Sequence, residues 1–189
     1  MIDGISYRTI HKSKISRLAE IDRTEVIRIG YEVRDGELVE KDVMWDTPNF
    51  LLGGEGEHTV AAQIAFCRSH MVRDAIAIGA FEGEALVAIG VLTPNIRPEM
   101  AQFSYLHVSA SHRRRGIASA IARQLFEHAR THGFKRVYVS ATPSESAVGF
   151  YKSFGFDLVE KPLPELYELE PDDIHMILEL KEEKAVGSA

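Results

Sequence analysis

FSYLHVSASHRRRGIASAIARQLFEHART, residues Phe103 to Thr131, is the stretch around which the chain is arranged. Phe103, Tyr105, Leu106 and Val108 make an apolar strand, and Ser109 to His112 a short polar turn. Three arginines and Gly116 then lead straight into an amphipathic helix. Its stripe is Ile117, Ile121 and Leu125 with Ala118, Ala122 and Ala129, and Gly133 closes it as a C-terminal cap. The junction carries the chemistry. A glycine-bearing turn that enters a helix leaves the first-turn amides without intrahelical partners, and the helix dipole adds positive potential there. An anion, and a phosphate above all, is the natural guest.

Composition narrows the setting of that site. The chain has 189 residues, 45% hydrophobic and 26% charged, which is ordinary globular composition. One domain over 1–181 with a polar tail over 182–189 is expected. A net charge of −6 argues against general nucleic-acid binding, so anion recognition must be local. The single cysteine, Cys67, excludes an internal disulfide and reads as a small buried hydrophobe. The eight histidines show no metal-ligand spacing, so no metal is expected. No apolar run approaches the ~20 residues needed to span a membrane, and the N-terminus lacks an apolar signal core. A soluble cytoplasmic protein without membrane partners follows as the expectation.

Outward from the central stretch, Ile5 to Ile10 reads as a first strand. Ile15, Leu18, Ile21 and Ile27 predict a helix ending near Gly30. Asp35-Gly36 predicts a hairpin within Tyr31–Glu40, and Val43–Glu57, with the only tryptophan, predicts a loop. A helix is expected over Thr59–Val72, with Val60, Ile64, Cys67 and Met71 on one face. A hairpin should join Ala75–Phe81 to Ala85–Leu92, with a loop over Thr93–Glu99. Val137 and Val139 predict a strand buried on both faces. Thr142-Pro-Ser-Glu145 has capping-box spacing, with Ser144 as the alternative cap, before a helix over Ala147–Phe154. Phe156–Val159 and Ile174–Leu180 should be the last strands, joined by an acidic loop. This order gives an α/β fold with a mixed sheet and helices on both faces.

Two motifs carry a resemblance. Arg113-Arg-Arg-Gly116-Ile-Ala118 resembles the Arg/Gln-x-x-Gly-x-Gly/Ala signature of the GNAT superfamily of acyl-CoA N-acyltransferases, and Leu106-His-Val108 resembles its splayed fourth strand. Ala147-x-x-Phe150-Tyr151-Lys-Ser-Phe-Gly155-Phe156 is similar to the closing motif. The resemblance implies a GNAT-like fold, with a mostly antiparallel sheet flanked by helices, and acetyl-CoA as co-substrate. Amides near Arg115, Gly116, Ile117, Ala118 and Ser119 would face the pyrophosphate, with the side chains of Arg113, Arg114 and Arg115 as charge-assisted forks. Backbone groups of Leu106, His107 and Val108 would pair with the pantetheine arm, and Ser144 stands where many members carry an asparagine that contacts it.

The implied reaction is direct attack of an amine on the thioester, with an amide N–H polarising the carbonyl and Tyr151 protonating the leaving thiolate. Some members carry a glutamate eleven residues before the signature arginine. Here that residue is Gln102, and Glu99, His107 or a relayed water stay open as the base. The missing glutamate also keeps open a CoA-binding regulatory or sensor module with a degenerate acceptor site. A small-molecule or peptide amine would meet the variable segments Ile27–Glu57 and Val159–Ile174. Trp45, Tyr31 and Phe50 are either local packing or a lid over that pocket. Dimerisation through the late strands is common in the family and stays open here.

Overall fold

The computed structural model describes residues 4–181; the tail expected over 182–189 lies outside them. Seven strands form one sheet. In chain order these are β1 (Ile5–Thr9), β4 (Ile76–Glu82), β5 (Ala85–Arg97), β6 (Met100–Val108), β7 (Arg136–Ala141), β8 (Asp157–Leu158) and β9 (Ile174–Glu179). Their spatial order is β1-β4-β5-β6-β7-β9-β8, antiparallel throughout except for the parallel β6–β7 pair. A separate ribbon pairs β2 (Glu25–Arg34) with β3 (Glu37–Thr47). The helices are α1 (Val60–His70), α2 (Ile117–Thr131), α3 (Glu145–Ser153) and α4 (Pro164–Leu169). The expected mixed, mostly antiparallel sheet with helices on both faces is therefore present.

Each face of the sheet has its own core. On one, α2 and α3 press Ile117, Ile121, Leu125, Val148 and Tyr151 onto Leu92, Phe103, Val137 and Met176. On the other, Ile15, Leu18, Ile21, Cys67 and Met71 cover Ala77, Ile89, Val91 and Tyr105. Burial pushes the Cys67 thiol up to about 12, so it packs as the small hydrophobe its context suggested. Glycines let both layers approach closely. A Cβ on Gly90 would lie 2.6 Å from Ile121 Cγ2, and one on Gly79 2.5 Å from Ile10 Cδ1. Gly90→Ala is accordingly expected to destabilise the fold by about 1–3 kcal/mol through overpacking. Thermal denaturation measures it, and an unchanged midpoint would contradict this packing.

Several expectations are corrected here. The helix from Ile15 toward Gly30 is a 3-10 helix over Lys12–Glu20 followed by β2. Ile15, Leu18 and Ile21 are spaced by three, which is the 3-10 repeat, and all three are buried. Ile27 and Gly30 belong to the ribbon instead. Val43–Thr47 is strand rather than loop, extending the Asp35-Gly36 hairpin on both sides. β5 continues through Thr93–Arg97, and Pro94 sits where the β5–β6 register shifts, so no ladder bond is lost to it. The acidic loop before β9 contains α4, entered at Pro164.

Candidate active site

The parallel β6–β7 ladder consists of three residue pairs, Met100–Arg136, Ala101–Val137 and Gln102–Tyr138. Past them β6 stays paired with β5 as far as Val108, and β7 with β9 as far as Ala141. The β7-facing edge of β6 from Phe103 to Val108 therefore has no ladder, and a wedge opens between the strands. Such an edge is a template for an extended ligand rich in amides. A bulge also falls within it. Val91 pairs with Tyr105 and Leu92 with Phe103, leaving Ser104 as an extra residue. The bulge switches alternation, so Phe103 packs under α2 while Tyr105 packs on the opposite face.

β6 feeds the turn before α2. Arg114 and Gly116 are both left-handed, at φ 61° and φ 80°, and Gly116 is the N-cap residue of α2. The first helical bond runs from the Ala120 N–H to the Gly116 carbonyl at 3.0 Å, and no side chain caps this end. The amides of Ile117, Ala118 and Ser119 thus have no intrahelical acceptor. Arg114 and Arg115 are exposed beside them, with Arg115 3.6 Å from Glu82 and His112 3.2 Å from the same carboxylate. Below the wedge Tyr151 meets Phe103 edge-to-face, with ring centroids 5.8 Å apart, and is 6% exposed. Burial raises the affinity of its phenol for the proton, and the charges of Asp173 and Glu170 raise it further.

Residues 41–156 match the Acetyltransferase (GNAT) family. The chain belongs to that family. Over 70 residues it is 37% identical to N-acetyltransferase 8 of Homo sapiens, a match covering 36% of this chain and 31% of the human protein. The chain thus spans about a third of the length of that relative. Its fold is similar to that of nourseothricin acetyltransferase, with TM-score 0.70 and 15% identity over 94% of this chain and 99% of the other. It is also similar to the PaiA N-acetyltransferase of Thermoplasma acidophilum, solved in complex with coenzyme A, with TM-score 0.59 and 13% identity over 93% and 98%.

Within this GNAT fold the remaining expected residues are placed unequally. Arg113, expected as a phosphate fork, has its guanidinium on backbone carbonyls. Its Nε donates to the Val108 carbonyl at 3.2 Å, and its two terminal nitrogens to the carbonyls of Thr24 and Arg23 at 2.9 Å each, with Glu25 3.5 Å away. It clips the end of β6 to the start of β2, and it already occupies the Val108 carbonyl. Arg113→Lys should therefore cost about 1–3 kcal/mol of stability by leaving carbonyls without donors. Acetyl-CoA affinity should stay near wild type in titration calorimetry; a selective loss of affinity would contradict the clip.

Ser144 is 2% exposed and caps α3, accepting from the Ala147 N–H at 3.3 Å. Thr142 is thus not the cap. Gly30 of β2 bridges to Ser144, and the Tyr31 N–H donates to the Pro143 carbonyl at 3.0 Å, so the ribbon covers this corner. Trp45 packs on Gly30, and Phe50 is buried between Arg23 and His107. Of the residues left open as bases, Glu99 sits in the β5–β6 turn, 2.6 Å from Lys135. Burial and the nearby Arg23 and Arg113 lower His107 to about 4, which leaves it neutral and weakly basic. Gln102 is 6% exposed at the base of the wedge.

Sequence reasoning singled out the segment before β9 only as a variable region, and no motif marked its members. Within it the Asp173 N–H donates to the Glu170 carbonyl at 3.2 Å, His175 Nε2 lies 3.1 Å from that same carbonyl, and the charges of both acids act on Tyr151.

Proposed function

We propose that this chain transfers an acetyl group from acetyl-CoA to a primary amine by direct attack on the thioester. One observation carries the reading. The unladdered edge of β6 leads, through the short 3-10 turn Ala110–His112, to a left-handed glycine and the free first-turn amides of α2, so a single extended ligand with a pyrophosphate can satisfy both. Backbone groups of Leu106 and His107 hold the pantetheine arm, and Gly116, Ile117, Ala118 and Ser119 receive the pyrophosphate. Arg114 and Arg115 add charge, with Arg115 leaving Glu82 for a phosphate oxygen.

The thioester carbonyl lies against the free β6 edge, where an amide N–H stabilises the developing oxyanion. Tyr151, held protonated by burial, gives its proton to the departing sulfur. The acceptor enters from the opposite side, between the β2–β3 ribbon and the segment from Val159 to Ile174. An amine suits the acidic side chains gathered there, and both small molecules and peptides present one. A CoA-binding module without turnover is the second reading, favoured by Gln102 standing where a strand carboxylate would serve as base.

Thiol release from acetyl-CoA over a panel of amines separates the two. Turnover on at least one amine is expected. Tight acetyl-CoA binding with no release on any of them would select the binding module.

A further inference from the structure

Resting on the acetyl-transfer reading, we infer that Asp173, held beside Glu170 between α4 and β9, is the general base that deprotonates the incoming ammonium. The base is absent from β6, where Gln102 pairs with Tyr138 of β7. From Tyr138 a network runs to the segment that carries the two acids. The Tyr138 hydroxyl accepts from the Leu163 N–H at 3.2 Å and lies 2.9 Å from His175 Nδ1. His175 Nε2 is 3.1 Å from the Glu170 carbonyl, which can only accept. The proton is thus on Nε2, and Nδ1 accepts from Tyr138. Ser140 Oγ, two residues further along β7, lies 3.4 Å from the same His175 Nδ1, and the Asp173 N–H donates to the Glu170 carbonyl at 3.2 Å. The backbones of both acids are thereby tied to the wall of the wedge opposite β6, and Asp173 directly precedes Ile174, the partner of Ala141 at the end of the β7–β9 ladder.

Tyr151 supplies an independent indication. Its hydroxyl is on a side chain more than nine-tenths buried and hydrogen-bonds to no described residue, and the charges that act on it are those of Asp173 and then Glu170. The proposed acid and the proposed base are thus within electrostatic reach of each other, as a site where amine and thioester meet requires. Neither carboxylate has an ion-pair partner among the described residues. Burial, Glu170 and Asp172 push Asp173 up to about 7, and burial raises Glu170, partly offset by Ser140 and by His70 at the end of α1. The other titratable neighbours are neutral near pH 7: burial lowers His175 and raises Tyr138 and Tyr151. An ammonium is the partner this pair lacks.

The protons then balance. Asp173 takes one proton from the ammonium, and the freed amine forms the C–N bond. As the C–S bond breaks, Tyr151 gives its proton to sulfur and regains one from the new amide nitrogen. Asp173 returns its proton to water.

The test uses acetyl-CoA with spermidine, lysine methyl ester and tyramine as acceptors, across pH 6 to 9. For wild type, kcat/KM should rise with pH through about 7 on at least one acceptor. Asp173→Asn should lower it about 100-fold or more and remove that limb, with acetyl-CoA affinity within about twofold. Asp173→Glu should restore part of the rate together with the limb. The thermal midpoint distinguishes a structural role. A carboxylate with a raised folded pKa contributes stability that is lost as pH rises through that value, so Asp173→Asn should be more stable than wild type at pH 8. A wild-type rate and limb in Asp173→Asn would overturn the base alone. So would a loss of rate matched by lost acetyl-CoA affinity or a lowered midpoint. Wild-type protein that binds acetyl-CoA and acetylates none of the three would overturn the acetyl-transfer reading and the base with it.

Discussion

Gly116→Glu should raise the dissociation constant for acetyl-CoA at least about 100-fold, or about 2.7 kcal/mol, while the protein still folds. Two effects combine. Gly116 has φ 80°, where a residue with a Cβ is strained by roughly 1–2 kcal/mol. A carboxylate there also sets a negative charge against the phosphates at the positive end of α2, where the first-turn amides would otherwise donate. Gly116→Ala isolates the strain and should weaken binding much less while lowering the thermal midpoint by a similar amount. Titration calorimetry on both variants resolves the contributions. A folded Gly116→Glu protein with wild-type affinity would remove the pyrophosphate from this turn.

The second large effect is on turnover. Tyr151→Phe keeps the ring and its edge-to-face contacts with Phe103 and Phe156, at 5.8 and 5.3 Å, so packing changes little. It removes the one hydroxyl proposed to protonate the thiolate. kcat should fall about 100-fold or more, with acetyl-CoA affinity unchanged. Burial holds the phenol protonated well above neutrality, so its titration should leave no alkaline limb in the wild-type profile between pH 7 and 9. The reverse pattern, with KM raised and kcat kept, would make Tyr151 a binding residue.

The strand, turn and helix of the proposed donor site were legible in the sequence because their pattern is local. A strand, a glycine turn and a helix stripe occupy one continuous stretch, Phe103 to Thr131, and the proposed recognition is by backbone groups. Arg113 shows where that legibility ends. Its position in the motif suggested a phosphate ligand, but the carbonyls it serves, Arg23 and Thr24, come from a distant segment that no local pattern brings near. Ser104 is similar: the bulge that turns Phe103 and Tyr105 to opposite faces is set by pairing with β5. The break in alternation at Tyr105-Leu106 was its only sequence trace.

The region between β1 and α1 was misread because Ile15, Leu18, Ile21 and Ile27 fit a long helix as well as a 3-10 turn followed by a strand. Tertiary burial against Ile89 and Val91 decides between them. Asp173 and Glu170 carried no signal at all, being two acids among several in a Pro-containing stretch. Their role rests on a network through Tyr138 and His175 that exists only once β7 and β9 pair.

Amide hydrogen exchange, followed by mass spectrometry with and without acetyl-CoA, tests the donor site most directly. Saturating acetyl-CoA should slow exchange in Phe103–Val108 and Arg114–Ser119, with the β1–β4 ladder unchanged. Protection confined to other segments, with these two exchanging as in the free protein, would contradict the site.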